Sequence, residues 1–335
     1  MAKTIIVSNR LPIKVTMEES KIGYAPSEGG LATGLGSIYK EGNNVWVGWP
    51  GFDLDDKKEQ KKVVEDLHQE NMHPVFLTKK EIKMYYEGFC NGTLWPNFHY
   101  FNQYTLFDPK AWEYYKKVNK KFADAVQEVI EPGDTIWVHD YQLLLLPELI
   151  RKRSPKSTIG FFLHIPFPSY EAFRILPWRR QLLHGMMGAD LVGFHTYDDM
   201  RHFLSSVNRL AGYGNSHGRI EVDNRFVQAD AFPMGIDYEK YARSAGEPDT
   251  LEREERYKTS YGNNKIILTI DRLDYSKGIP QRLIAFRDLL QKYPEWRENV
   301  SMVMIVVPSR DQVGKYKELK EQVDLLVGGI NGEYS

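Results

Sequence analysis

Short apolar runs with the length of β-strands alternate along the whole chain with longer stretches of helical periodicity. The runs are rich in Val, Ile and Phe with little polar alternation, which is typical of parallel strands buried on both faces. This alternation predicts an α/β fold with helices covering both sides of each sheet. The predicted strands are at residues 4–8, 45–48, 73–77, 135–139, 158–163, 191–194, 225–231, 265–270 and 301–307. The predicted helices include residues 55–70, 109–129, 143–153, 197–210 and 279–293.

A chain of 335 residues is longer than one hydrophobic core usually supports, so two domains are expected. The boundary is predicted after residues 233–237, before a polar linker at 244–250. We therefore assign residues 1–240 to a first domain and residues 250–335 to the start of a second. The second domain shows two clear strands, fewer than a doubly wound sheet needs to bury its faces. Either the second domain is small or the chain ends inside it, and truncation is the favoured expectation.

Composition and charge argue against several classes of protein. A net charge of −1 offers no basic face for a nucleic acid. The single cysteine, Cys90, rules out an internal disulfide and a cysteine-based zinc cluster. No stretch approaches the roughly 20 apolar residues of a membrane span, and the N-terminal run is shorter than a signal peptide requires. The sequence predicts a cytoplasmic protein with no nucleic-acid or membrane partner.

Two cations, Arg272 and Lys277, follow the predicted strand at 265–270 and precede the predicted helix at 279–293. Open α/β sheets bind ligands at the carboxyl ends of their strands, and a helix N-terminus adds a positive dipole end. This arrangement suits a diphosphate, and therefore a nucleotide.

Arg10 follows the first predicted strand, and Gly29 and Gly30 open what looks like the next helix. Glycines there let the backbone approach a ligand closely, and Arg10 beside them favours an anion site. The spacing matches neither the GxGxxG fingerprint nor the GxxxxGK[ST] loop, which argues against a dehydrogenase and an ATPase.

Asp140 and His164 each follow a predicted strand of the same parallel sheet. The carboxyl ends of such strands share one edge, so both are expected near Arg10. His139 is less informative, because strand alternation would point it to the other face.

Residues 85–96 are rich in aromatic and turn-forming residues and exceed the length of a simple connection. Either they plug the core or their rings form a platform for a sugar, with the Tyr86 hydroxyl as a hydrogen-bonding group. No HExxH, EF-hand or His/Cys pattern indicates a metal site.

Taken together, these segments resemble the trehalose-6-phosphate synthase family, the α,α-trehalose-phosphate synthases that use UDP-glucose. The matching segments run in family order from residue 7 to residue 278. They are at residues 7–12, 28–32, 45–49, 94–100, 137–141, 160–168 and 271–278. The resemblance implies a GT-B glycosyltransferase, in which two Rossmann-like domains face each other across a cleft.

The resemblance also implies a role for each matching residue. Glucose 6-phosphate would be held by Arg10, Tyr86, Asp140 and Arg310. UDP-glucose would be held by Gly29, Gly30, Arg272 and Lys277. Trp95 and Ile165 would shape the acceptor pocket, and His164 would meet the donor sugar. The residues implied in catalysis are Arg272, Lys277, His164 and Asp140.

In this family the glycosidic bond forms with retention and without a clear carboxylate nucleophile. Catalysis would then depend on holding both sugars in a dry cleft and on Arg272 and Lys277 stabilising the departing diphosphate. No metal or other cofactor is expected. Family members continue past residues 329–334 into a segment that completes the nucleotide site. The 335 residues alone are therefore expected to bind UDP-glucose poorly and to turn over little.

Three alternative functions stay open. A sister synthase would use another phosphorylated acceptor such as glycerol phosphate. A regulatory subunit of a trehalose synthase complex would keep the fold without activity, although the cations argue against it. A nicotinamide dehydrogenase fits the fold alone. The resemblance also leaves open a homo-oligomer or membership of such a complex.

Overall fold

The computed structural model describes residues 2–18, 21–27, 44–262, 264–308 and 314–334. The chain divides into two compact units, Met1–Gly235 and Ile236–Ser335. The division falls just before residue 240, the predicted end of the first domain. Which ligand each domain takes stays a prediction at this point.

The first unit is built on a parallel sheet that the sequence pattern anticipated. In chain order its strands are β1 (Thr4–Arg10), β2 (Ile13–Glu18), β3 (Lys21–Pro26), β4 (Asn44–Trp49), β5 (Met72–Pro74), β6 (Thr135–His139), β7 (Thr158–Phe162), β8 (Leu191–Phe194), β9 (Asn215–Ser216), β10 (Arg219–Val222) and β11 (Arg225–Ala231). Within the described ranges, nine of them form one sheet in the order β5-β4-β1-β6-β7-β8-β11-β10-β9. The strands from β5 to β11 run parallel, and β10 and β9 add an antiparallel edge.

Helices flank this sheet and bury its apolar side chains. The longer ones are Lys57–His68, Pro109–Val129, Leu146–Arg153, Arg179–Met186 and Tyr197–Ser206, the last continued by a π-helical turn at Val207–Ala211. The helix Pro109–Val129 has the predicted bounds. Its N-cap Asp108 accepts a hydrogen bond from the backbone N–H of Lys110. Pro109 suits the first turn because the N–H that it lacks would have no partner within the helix. The central strand β1 is enclosed, with Ile5, Ile6 and Val7 fully buried.

Two features of this unit were not predicted. The antiparallel hairpin β2–β3 stands apart from the main sheet, and the edge pair β9–β10 follows the helical segment that ends at Ala211.

Residues 85–96 were predicted to be turn-rich, but they belong to a continuous helical segment made of Lys79–Glu81, a π-helical Ile82–Leu94 and Trp95–Phe98. A capping box between Thr78 and Glu81 starts it, and burial of its aromatic side chains outweighs its weak helix formers.

The second unit contains a short parallel sheet with helices packed on one face. Strands β12 (Lys265–Arg272) and β13 (Val300–Val307) pair in parallel along their full length. The helices are Tyr238–Ser244, Pro248–Tyr261, Ile279–Lys292 and Gly314–Tyr334. Leu283 and Leu290 of one helix and Leu319 of another pack against alternate residues of β13. Over the described ranges, no helix of either unit is long and apolar enough to span a membrane.

Candidate functional site

Three predicted site residues of the first unit follow adjacent strands at one edge of the sheet. Arg10 is the last residue of β1, Asp140 comes directly after β6, and His164 lies two residues after β7. Because β1, β6 and β7 are parallel neighbours, their carboxyl ends lie together. The prediction that these side chains occur at the same edge is confirmed.

A bulge in β1 fixes the backbone that carries Arg10. The register with β4 shifts between Val7 and Arg10. The Ser8 hydroxyl donates to the carbonyl of Arg10 at 2.7 Å and accepts a hydrogen bond from the indole N–H of Trp46 at 2.7 Å. A Cβ on Gly48 would lie only 2.9 Å from the backbone nitrogen of Leu11, so glycine permits this close approach.

The guanidinium of Arg10 contacts two aromatic rings, which also contact each other. Its Cζ is 4.9 Å from the ring centroid of Trp49 and 5.6 Å from that of Tyr86. Arg10 Nε is buried and has no hydrogen-bond partner among the described residues. Cation–π contacts orient the guanidinium without neutralising its charge, so the group can still attract an anion. Sequence reasoning gave Trp49 no role, although its position at the end of β4 placed it at the same edge.

The aromatic segment after β5 divides into packed residues and one site residue. Tyr85 and Phe89 are fully buried beside Tyr115, so most of the segment serves the core. Tyr86 is half-buried and contacts Arg10. The ring of Trp95 is buried and lies 5.7 Å from that of Tyr141, the residue after Asp140.

Ile165 is almost fully buried, next to His164 in the chain. The structure thus places the two residues predicted to shape the acceptor pocket, Trp95 and Ile165, beside the segments of Asp140 and His164. Their roles in ligand recognition stay predictions.

Asp140 adopts a backbone conformation that few residues other than glycine accept. Its φ is 75° and its ψ is 169°. The conformation turns the chain sharply out of β6, while the Asp140 N–H donates to the carbonyl of Phe162 and its Oδ1 accepts from the N–H of His164 at 3.2 Å. Strain of this kind costs about 1–3 kcal/mol and is concentrated at functional sites.

We expect Asp140→Gly to be more stable than Asp140→Ala by about 1–3 kcal/mol, because only glycine enters this region of φ and ψ freely. Both variants lack the carboxylate, so the difference isolates the backbone. Urea unfolding of the two proteins measures it. The matched control is Asp230 in β11, which has no positive φ and where alanine should be at least as stable as glycine. Equal stability of the two variants at position 140 would contradict the strained conformation.

Strand alternation made His139 the less informative neighbour of Asp140, but the structure places it in contact with His164, a predicted site residue. Its side chain is fully buried, and Nδ1 lies 3.0 Å from Nε2 of His164. Alternation predicts side-chain direction only inside a strand, whereas His164 lies beyond β7, where the chain turns and its ring packs on Phe162. Burial and the neighbouring His195 lower the pKa of His164 to about 3, so the ring is neutral at pH 7.

In the second unit Arg272 and Lys277 stand where the pattern predicted. Arg272 ends β12, and Lys277 ends a 3₁₀ turn at Tyr275–Lys277, before the helix that starts at Ile279. Both side chains are exposed. The fully buried carboxylate of Asp274 organises the turn, accepting from the N–H of Ser276 at 3.0 Å and from the Tyr316 hydroxyl at 3.2 Å. Gly278 has φ +63° and leads into the helix.

Three predicted site residues, Gly29, Gly30 and Arg310, lie outside the described residues. Within the described part of the chain, no group of three or more His, Cys, Asp or Glu side chains is arranged to hold a metal ion.

The sequence profile of Glycosyltransferase family 20 matches residues 2–335. The chain belongs to this family. It is 43% identical over 335 residues to α,α-trehalose-phosphate synthase [UDP-forming] A of Dictyostelium discoideum. An α,α-trehalose-phosphate synthase (UDP-forming) from Burkholderia xenovorans, solved in complex with glucose 6-phosphate, superposes on it with a TM-score of 0.87 at 29% identity. An E. coli structure bound with UDP-2-fluoro glucose superposes with a TM-score of 0.85 at 31% identity.

The shared length differs between these relatives. The matched region covers 99% of this chain but 45% of the Dictyostelium protein. The two solved structures align with the whole of this chain, which covers 72% of the Burkholderia chain and 71% of the E. coli chain. The fold is therefore the GT-B fold of these structures, over the part that the chain shares with them.

Proposed function

We propose that this chain serves a retaining glucosyltransferase that moves glucose from UDP-glucose to glucose 6-phosphate, giving trehalose 6-phosphate and UDP. The observation that carries the proposal is the aromatic-flanked guanidinium of Arg10 at the same sheet edge as Asp140 and His164. A planar guanidinium cation suits a phosphate monoester, and the carboxylate suits sugar hydroxyls. The glucose 6-phosphate complex of the Burkholderia relative supports this assignment.

The second unit supplies the groups for the nucleotide. Arg272 and Lys277, at the end of a strand and before a helix start, suit the diphosphate of UDP-glucose. The UDP-2-fluoro glucose bound to the E. coli relative supports this nucleotide sugar as the donor. The proposal also includes the predicted ligand contacts of Gly29, Gly30 and Arg310.

The chemistry needs few specialised groups. The bond between the glucose C1 and the diphosphate oxygen breaks, and the anomeric hydroxyl of glucose 6-phosphate forms the new bond on the same face. Its proton passes to the departing diphosphate oxygen. Arg272 and Lys277 stabilise the charge that develops on this leaving group, and we propose that they do so without a metal or another cofactor.

The test measures binding first and turnover second. Calorimetry should show that the chain binds glucose 6-phosphate, and a coupled assay of the whole protein should show release of UDP that depends on this acceptor. Preference for glycerol 3-phosphate would favour a sister synthase. Ligand binding without turnover in the whole protein would favour a regulatory subunit, and failure to bind any sugar phosphate would overturn the proposal. A cytosolic location and assembly into a larger trehalose synthase complex stay predictions.

A further inference from the structure

Three histidine rings at the carboxyl ends of neighbouring strands contact one another, with His164 touching the other two. His139 ends β6, His164 follows β7, and His195 is the first residue after β8. The ring centroids of His139 and His164 are 5.2 Å apart, and those of His164 and His195 are 5.5 Å apart. The first pair is joined by a nitrogen–nitrogen distance of 3.0 Å, which is that of a hydrogen bond.

The bond between His139 and His164 contains one proton. Burial lowers the pKa of His139 well below its usual value, as it does that of His164, so both rings are neutral. A neutral imidazole carries one N–H and one lone pair. Either Nδ1–H of His139 donates to Nε2 of His164, or Nε2–H of His164 donates to Nδ1 of His139. The direction of this bond decides whether Nε2 of His139 or Nδ1 of His164 carries the second N–H of the pair.

The surroundings of the two outer nitrogens distinguish these arrangements. Nε2 of His139 is enclosed and has no hydrogen-bond partner among the described residues. If His164 were the donor, this nitrogen would carry a buried N–H without an acceptor, which native proteins avoid. If His139 is the donor, the unpartnered N–H is Nδ1–H of His164. That ring is only partly buried, so water or a ligand can accept its proton.

We propose that His139 is a positioning residue that donates its Nδ1 proton to His164 and holds the His164 ring as a hydrogen-bond donor at Nδ1. His164 then recognises an oxygen that accepts a hydrogen bond, such as a sugar hydroxyl, and does not act as a proton acceptor there. Only the identity of this ligand rests on the proposed function. The direction of the His139–His164 bond is a property of the unliganded protein.

The tautomers can be read directly in the chain labelled with ¹⁵N-histidine. Long-range ¹H–¹⁵N correlation distinguishes protonated from unprotonated ring nitrogens, and His164→Gln identifies the signals of His164. We expect a protonated Nδ1 and an unprotonated Nε2, with at least about a tenfold excess of this tautomer, because the alternative buries an unsatisfied N–H. A protonated Nε2 of His164 in the wild-type chain would overturn the proposal.

Two variants of nearly equal shape test the role of His139. His139→Asn can keep an N–H donor near the position of Nδ1, whereas His139→Leu cannot. The Asn variant should retain the Nδ1–H tautomer of His164, and the Leu variant should show a mixture. An unchanged tautomer in a folded Leu variant would remove His139 from this role. If the Leu variant does not fold, the wild-type spectrum still decides the direction of the bond. None of these measurements needs turnover, so they can fail while the proposed function stands, and the reverse.

Discussion

Replacing Arg10 with alanine is expected to weaken binding of glucose 6-phosphate by about 10²- to 10³-fold. Hydrogen bonds to charged groups contribute about 1.5–3 kcal/mol each, and every 1.4 kcal/mol is a factor of ten in affinity. In the described part of the chain, no carboxylate forms an ion pair with Arg10, and its Nε has no partner. The substitution therefore removes a side chain that binds the phosphate, without leaving a carboxylate of the described residues unpaired.

Calorimetry with two ligands isolates the phosphate. Arg10→Ala should strongly weaken the binding of glucose 6-phosphate and should leave the already weak binding of glucose nearly unchanged. UDP affinity should not change. Arg10→Lys should recover part of the loss, because lysine keeps the charge but lacks the planar fork that binds two oxygens and stacks on Trp49 and Tyr86.

Lys14→Ala is the matched control for charge. Lys14 lies four positions from Arg10 in the sequence and is exposed on β2, so its loss removes one positive charge without touching the site. It should change glucose 6-phosphate binding little. Equal losses for Lys14→Ala and Arg10→Ala would mean that overall charge, not the aromatic-flanked guanidinium, determines affinity. A larger effect of Arg10→Ala on UDP than on glucose 6-phosphate would mean that the two ligand sites are exchanged.

The sheet and its functional edge could be predicted because they depend on local patterns. Strand β6 and the helix Pro109–Val129 have the predicted bounds, since apolar runs and a capping Asp108 specify them within a few residues. Parallel pairing then brings Arg10, Asp140 and His164 to one edge without any knowledge of side-chain contacts.

The contacts within the site could not be predicted, because they depend on departures from regular geometry. The register of β1 shifts between Val7 and Arg10, and the positive φ of Asp140 changes the direction of the chain after β6; neither has a clear sequence signature. The contact of His139 with His164 was missed because His164 lies beyond β7, where strand alternation no longer predicts side-chain direction. The helical form of residues 85–96 was missed because tertiary packing of Tyr85 and Phe89 prevails over local propensity.

Replacing either Arg272 or Lys277 with alanine is expected to slow UDP-forming turnover of the whole protein by about 10²- to 10³-fold, as loss of one preorganised charge at a developing anion usually does. Both side chains are exposed, Arg272 at the end of β12 and Lys277 on the turn that the buried Asp274 organises, so the fold should survive. The Michaelis constant for glucose 6-phosphate should change little. An unchanged rate would remove the substituted residue from the mechanism.

A binding comparison tests the same charges without relying on turnover. UDP and uridine share the base and the ribose and differ in the diphosphate. Each substitution should therefore weaken the binding of UDP and leave the binding of uridine unchanged. The affinity that the diphosphate adds to UDP binding should also fall as the salt concentration rises, because the contacts are between exposed charges. Lys265→Ala is the matched control, since Lys265 is an exposed cation at the opposite end of β12. If Lys265→Ala weakens UDP as much as Arg272→Ala, or if uridine binding falls in parallel with UDP binding, the diphosphate is not held at the carboxyl end of this strand.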